Sequence, residues 1–257
     1  PCKVVQMKLS GVIITFNEER NIRRCLQSLE GVCDEILVLD SFSTDQTEAI
    51  CKEFGARFEQ HPFEGHIQQK NEALKRAQHG WVLSLDADEA LSPKLTASIL
   101  DIKNSSPVKG GYTMNRLTNY CGKWIHHSGW YPDTKLRLVS KENAQWGGTN
   151  PHDKLIPDAQ LPLQHLRGDL LHYSYYTKED HFKQIAYFSE IAAKELFAKK
   201  IKSNLLKIGI KTAAQFIKSY IIKLGFLDGT AGWHIAVRSA YGTNQKYARL
   251  RKHWQDA

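Results

Sequence analysis

The sequence predicts an α/β fold: a doubly wound, mostly parallel sheet flanked by helices, followed by a helical C-terminal extension. Three observations predict it. Short apolar runs alternate with segments of helical periodicity between residues 9 and 90. Polar and acidic residues gather just after these runs, where a parallel sheet opens to its ligand. From Thr177 onward strand-like runs cease and the pattern is helical to the end.

The elements follow in order. Leu9–Thr15 (LSGVIIT) reads as a strand, Glu18–Leu29 as a helix and Glu35–Leu39 (EILVL) as a second strand. Thr44–Phe54 follows as a helix opened by a Ser/Thr/Asp cluster suited to capping. Arg57–Gln60 is a short strand, Gly65–Gln78 a helix and Trp81–Leu85 (WVLSL) a fourth strand. Shorter β-like runs come next, at Gly111–Arg116, Thr134–Val139 and Asp169–Tyr173, separated by loops rich in Gly, Trp, His and Pro that suit recognition. This divides the chain into a catalytic domain over 7–176, with halves 7–90 and 91–176, and a basic helical region over 177–257. Pro1–Gln6, ahead of Met7, read as an exogenous leader and are set aside.

Composition narrows the function classes. The chain is 42% hydrophobic and 24% charged, with mean hydropathy −0.44, which fits a soluble globular protein rather than a spanning or low-complexity one. No secretory pattern opens it, and the five cysteines show no metal spacing, so a cytoplasmic chain with reduced thiols is expected. The net charge of +8 is unevenly spread. Residues 194–257 hold 13 Lys and Arg against three acidic residues, a local +10, whereas residues 1–193 carry −2. On a helical wheel over Lys200–Leu224, Lys200, Asn204, Lys207, Lys211, Gln215 and Lys218 share one arc. Leu206, Ile210, Phe216, Ile217, Tyr220, Ile221 and Leu224 fill the other, while Lys202 and Lys223 must snorkel. That pattern suits an anionic membrane surface, and no nucleic-acid motif accompanies it.

The sharpest chemical signal is Leu83-Ser84-Leu85-Asp86-Ala87-Asp88-Glu89. Two aspartates on the turn after an apolar strand can face one cleft, and their hard oxygens suit Mg²⁺ or Mn²⁺ bound to a diphosphate. Asp40 follows the second strand, Thr15-Phe16-Asn17-Glu18 the first, and Lys70-Asn71 lies on the helix before the DAD strand.

In order and spacing these residues resemble the nucleotide-binding half of glycosyltransferase family 2, which has the GT-A, Rossmann-like fold; the resemblance covers about residues 8–175. Gly129-Trp130-Tyr131-Pro132-Asp133-Thr134-Lys135-Leu136-Arg137-Leu138, His152-Asp153-Lys154-Leu155, His172-Tyr173-Ser174-Tyr175 and Lys223-Leu224-Gly225-Phe226-Leu227-Asp228-Gly229 resemble the bacterial lipopolysaccharide-core β-1,4-glucosyltransferases within it. The resemblance implies a metal-dependent inverting transfer of a sugar, glucose from UDP-glucose, onto a heptose of the inner core. Thr15, Asn17 and Glu18 would line the uridine pocket, Asp40 would accept from the uracil N–H, and Lys70 would lie near the nucleotide. Asp86 would touch the ribose, Asp88 would hold the divalent ion, and His172 would complete its sphere.

An inverting transfer needs a base opposite the leaving group. The candidates are Asp153 and Asp133, with Glu89 and Glu142 behind them; Asp153 stands where related sequences commonly carry Glu. Trp130, Arg137 and His152 are candidate acceptor contacts. The acceptor would be lipid-linked, and the enzyme cytoplasmic and peripheral on the inner face of the bacterial inner membrane. Polyprenyl-phosphate sugar transfer and non-catalytic nucleotide-sugar binding are the alternatives.

Overall fold

Strand alternation, with both faces apolar, organises the first part of the chain. In the computed structural model, which describes residues 7–105, 110–149 and 152–256, the opening elements are β1 (Leu9–Thr15), α1 (Ile22–Leu29), β2 (Glu35–Asp40), α2 (Thr47–Glu53), β3 (Arg57–Gln60), α3 (His66–Arg76) and β4 (Trp81–Asp86). On β1, Leu9 and Ile13 point into a core completed by Ile22, Cys25, Leu26 and Leu29 of α1. Val12 points the other way, against Ala73, Leu74 and Ala77 at α3. A strand buried on both faces suits a parallel, helix-covered sheet, and β1 has that setting. β1 pairs in parallel with β2 and β4, and β2 with β3.

The strand register sets the site. Thr15 stands beside Asp40, and Ile14 beside both Leu39 and Asp86, so the ends of β1, β2 and β4 are level. Helix starts come later than the periodicity predicts. Asn17 takes a left-handed backbone (φ 55°), and the Glu18 carbonyl accepts from both Asn21 and Ile22 N–H, so a turn precedes α1. Ahead of α2, Asp45 accepts from the Thr47 N–H and hydroxyl, so the Ser/Thr/Asp cluster forms a loop first.

The chain continues through β5 (Glu89–Leu91), α4 (Pro93–Lys103), β6 (Gly111–Tyr120), β7 (Lys123–Trp124), β8 (Asp133–Ser140), β9 (Ala144–Thr149), β10 (His152–Pro157) and β11 (Leu163–Tyr175). Sheet order is β3-β2-β1-β4-β8-β6-β11-β5, antiparallel from β4 to β8, from β8 to β6 and from β11 to β5. β9 and β10 form a separate antiparallel hairpin. The short β5 and β7 and the Gly-containing β9 show no usable period in the sequence.

Contacts divide the molecule into two compact units. One holds the chain up to Arg116 together with Asp133–His172. The other joins Leu117–Pro132 to Tyr173 and all that follows. In this second unit lie α5 (Lys178–Ala198), α6 (Leu205–Ile217), a π-helical turn (Lys218–Ile222), a 3₁₀ turn (Gly225–Asp228) and α7 (Gly229–Gln255). Thr177 and Asp180 cap α5 reciprocally. The predicted continuous helix over Lys200–Leu224 is not formed. Lys200 is left-handed (φ 57°), the Asn204 side chain caps α6, and so Lys200 and Lys202 precede the helix.

The Lys223–Gly229 motif proves to be a clasp. The buried Asp228 carboxylate accepts from the His126 and His127 N–H groups, His127 Nδ1 and Ser128 Oγ, while its carbonyl accepts from Lys123. Gly232 is obligatory beside it, because a methyl group there would lie 1.7 Å from the Gly225 carbonyl oxygen. Pro1–Gln6, Cys2 among them, lie outside the described residues.

Candidate active site

The site is built on the carboxyl ends of β1, β2 and β4. Thr15 Oγ1 donates to Asp40 Oδ1 at 2.8 Å, following their register pairing. Ser43 N–H donates to Asp40 Oδ2 at 2.7 Å, so this fully buried carboxylate also holds the β2–α2 loop. Asn17 stitches the same loops: its N–H donates to Ser43 Oγ, and its Oδ1 accepts from the Thr44 N–H. Glu18 N–H donates to Thr47 Oγ1, while Asn21 Nδ2 donates to its side chain. Burial, together with the nearby charges of Asp88, Asp45 and Asp86, raises the Glu18 pKa above its ordinary range. Excess negative charge therefore converges on the β4 turn.

From that turn runs a chain of alternating charges. Asp133 pairs with Arg116 (2.8 Å), Arg116 with Glu89 (3.5 Å), and Glu89 with Arg137 (2.8 Å). Arg137 then pairs with Asp86 (3.0 Å), Asp86 with Lys70 (2.8 Å), and Lys70 with Asp153 (2.8 Å). Local structure explains each link. Arg116 and Asp133 are cross-strand partners on β6 and β8. Lys70 lies on α3, where the next residue, Asn71, makes reciprocal hydrogen bonds with the Trp146 backbone (2.9 and 2.8 Å). That clamp fixes β9, and β10 pairs with β9 so that Asp153 stands opposite Gly148.

The charges tune one another. Burial would raise the Asp86 pKa, but Lys70 and Arg137 outweigh it and hold this carboxylate well below the usual range. Burial would likewise lower Lys70, yet Asp86 and Asp153 keep it above its ordinary value. At Asp133, burial is outweighed by Lys135 and Arg116, which lower its pKa. Trp146 supplies a π face to both cations, with Lys70 Nζ 4.3 Å and Arg137 Cζ 5.3 Å from the ring centroid. Arg137 Nε and Trp146 Nε1 are both buried with no hydrogen-bond partner among the described residues.

The second arm of the site starts at Asp88. β11 pairs with β5 so that His172 stands opposite Glu89, and His172 Nε2 comes to 3.2 Å from Asp88 Oδ2. Among the described residues no set of three or more His, Cys, Asp or Glu side chains forms a ready metal cage. A carboxylate and an imidazole side by side, with Glu18 held above its ordinary pKa nearby, nevertheless form a donor set that fits a hard divalent ion whose other ligands are water and phosphate oxygen.

The structure thus draws together Lys70, Asp86, Asp153 and Arg137, and separately Asp88 with His172. Arg137, expected at the acceptor, is instead buried in ion pairs with Asp86 and Glu89, because its place on β8 turns it toward the β4 turn. Trp130, also expected at the acceptor, belongs to the second unit, where it stacks on Tyr175 (5.4 Å) and meets Tyr120 edge-on. The His152 side chain lies outside the described residues. Sequence reasoning missed Trp146 and Arg116. A Trp ahead of a Gly pair in a loop-like stretch gave only a faint signal for the first.

Comparison with known proteins places this geometry in context. Residues 10–154 match the model of the family described as glycosyl transferase family 2. An uncharacterized glycosyltransferase of Rickettsia typhi is 28% identical over 95% of this chain and 87% of its own length. A lipopolysaccharide core biosynthesis glycosyltransferase, LpsC of Rhizobium meliloti, is 24% identical over 99% and 98%. Among solved structures, residues 1–349 of Staphylococcus aureus TarS in complex with UDP align over 97% of this chain and 92% of that one, at 16% identity and TM-score 0.47.

Proposed function

The chain belongs to glycosyl transferase family 2 and is a glycosyltransferase, and from that premise we propose that it moves glucose from UDP-glucose onto a heptose of a lipid-linked lipopolysaccharide inner core, with inversion and with a divalent cation. The observation that carries the reading is the convergence of Asp86, Lys70 and Asp153 beside the Asp88–His172 pair. Full-length similarity to a protein named for lipopolysaccharide core biosynthesis supports the acceptor class.

In this reading Thr15, Asn17, Glu18 and Asp40 form the uridine end, and Asp86 meets the ribose. Asp88 and His172 would hold Mn²⁺ or Mg²⁺, which supplies Lewis-acid stabilisation of the departing diphosphate. The acceptor hydroxyl forms its bond to the anomeric carbon as the bond from that carbon to UDP breaks, and the hydroxyl proton passes to a carboxylate. Asp153 suits that part better than Asp133. Lys70 engages only Asp153 Oδ2, keeps that carboxylate oriented and links it to the donor-side Asp86. Asp133 is gripped by both Arg116 and Lys135, which lower its pKa and leave it less ready to take a proton than an unpaired aspartate. Arg137 acts as a positioning residue by fixing Asp86 against Glu89.

We further read the enzyme as cytoplasmic and peripheral, held at the anionic inner leaflet by its basic C-terminal region. No helix among the described residues is long and apolar enough to cross a membrane. The test is acceptor-dependent UDP release with Mn²⁺ across a panel of UDP-sugars, with truncated lipopolysaccharide as acceptor. UDP-glucose alone is expected to give release. Another donor, or polyprenyl phosphate as the productive acceptor, would overturn this assignment of substrates.

A further inference from the structure

Residues 196–227 contain seven lysines and neither aspartate nor glutamate. An exposed helix ordinarily offsets such charge with carboxylates one turn away. α5 does so, with Lys194 3.5 Å from Glu190. α6 has no acidic residue, and its side chains sort into three strips rather than the two faces a simple wheel suggests.

The first strip is covered. Ile208 is buried, and Phe216 lies 5.5 Å from Tyr220 and 5.4 Å, edge-on, from Trp233 of α7. The second carries Lys207, Lys211 and Lys218. The third is aliphatic and open: Leu206, Ile210 and Ile217, spaced by four and seven residues, are 72%, 57% and 50% exposed. It continues beyond the helix, where Ile221 and Ile222 are 52% and 67% exposed. Single exposed leucines on a soluble protein need no explanation, but an aliphatic strip edged by lysines with no acidic residue on the same segment does.

We propose that this strip is a membrane-insertion surface, whose Leu206, Ile210, Ile217, Ile221 and Ile222 enter the acyl boundary of an anionic bilayer while the adjoining lysines lie on its headgroups. The inference rests on the lipid-linked acceptor proposed above and deepens it, because it makes aliphatic insertion, in addition to charge, the anchor. Charge complementarity selects this occupant. A second copy docked face to face on the same strip would bring lysines against lysines, with no carboxylate between residues 196 and 227 to offset them. A bilayer with anionic lipid supplies both the apolar phase and the counter-charge. The helix is too short to span and would lie in the interface plane, with Lys223 snorkelling between Ile222 and Leu224.

The test uses the full chain and two vesicle types, phosphatidylcholine alone and phosphatidylcholine with phosphatidylglycerol, in flotation at low and high salt. The variants are Ile210→Asp/Ile217→Asp and Lys211→Gln/Lys218→Gln; both pairs are exposed, and thermal melting checks their folding. Wild type is expected to float with the anionic vesicles and to keep a salt-resistant bound fraction. The isoleucine variant should lose at least about tenfold in partitioning while still binding UDP, and the lysine variant should bind more weakly and release more readily in salt. The proposal is overturned if wild type stays in solution, if salt removes it completely and the isoleucine variant binds equally well, or if that variant merely converts a wild-type dimer to monomers. UDP binding without acceptor-dependent release would instead count against the sugar-transfer reading and, with flotation intact, leave this surface standing.

Discussion

The two compact units treat charge in opposite ways. In the first, nearly every buried cation has its carboxylate: Arg137 lies between Asp86 and Glu89, and Lys70 between Asp86 and Asp153. In the second, buried Arg238 donates to the Tyr120 hydroxyl and lies over the Phe182 ring, and the lysines of α6 have no acidic residue on their own helix. Compensated charge in a chain of ion pairs holds its groups at set distances, the pre-organisation that the proposed catalysis needs. Uncompensated charge beside open aliphatic surface fixes nothing inside the protein and suits an external polyanion. In the proposed reading, the first unit carries the chemistry and the basic helical region meets the lipid-borne acceptor.

The largest expected effect that sharpens this contrast is on turnover. Asp153→Asn should lower the rate of UDP release by about 10²- to 10⁴-fold, with UDP affinity little changed. Asp133→Asn should cost less than about tenfold. Equal losses in steady-state kinetics would mean that the charge chain does not distinguish its two ends.

Stability gives the next test. Arg137→Gln removes the buried cation shared by Asp86 and Glu89, leaving them only Lys70 and Arg116, and should destabilise the protein by up to about 3–5 kcal/mol in urea unfolding. In the second unit, Arg249→Gln breaks a half-exposed pair with Glu190 (2.9 Å) and should cost less than about 1 kcal/mol. Comparable values would erase the contrast.

The pH dependence sets two individual groups, His181 and Glu18, apart by sign. Burial, reinforced by Arg238, depresses His181 from its ordinary 6.5 to about 4. Between those values the unfolded chain binds the extra proton, so stability from neutral His181 is full above 6.5 and is lost as pH falls toward 4. In the first unit Glu18, raised above its ordinary 4.5, binds its proton more tightly when folded and contributes the opposite slope just above that pH. The His181→Phe variant should therefore show a flatter fall in thermal midpoint between pH 6.5 and 4 than wild type. An unchanged slope would mean that His181 titrates normally. Smallest of all, Thr177→Ala removes the capping box of α5 and should cost about 1 kcal/mol in the same melts.

How much of this was legible in the sequence depends on range. The parallel elements β1 to β4 and the helices between them were readable, because their apolar runs and periodicities are local. So were the places of Asp86, Asp88 and Asp40 just after strands and of Lys70 on a regular helix, while the roles expected of them came through resemblance. The meeting of Asp88 with His172 depends on the β5–β11 register across more than eighty residues, and it was reached through resemblance rather than spacing. The turn of Arg137 into the carboxylates was not readable, because strand alternation says which face a residue takes but not which charges wait there. Trp146 joins the site only through the Asn71 clamp on β9, which has no local signature. The three strips of α6 were hidden for a similar reason: a wheel shows where apolar residues fall but not which of them α7 will cover.

The most direct test of the account is calorimetric binding of UDP to wild type and to Asp88→Asn, each with Mn²⁺ and after chelation. Wild type should bind UDP at least about tenfold more tightly with Mn²⁺, and Asp88→Asn should lose that gain while keeping its metal-free affinity. If wild type binds UDP equally well with and without the metal, or if Asp88→Asn keeps the full Mn²⁺ effect, the Asp88–His172 arm is not the metal site and the proposed chemistry falls with it.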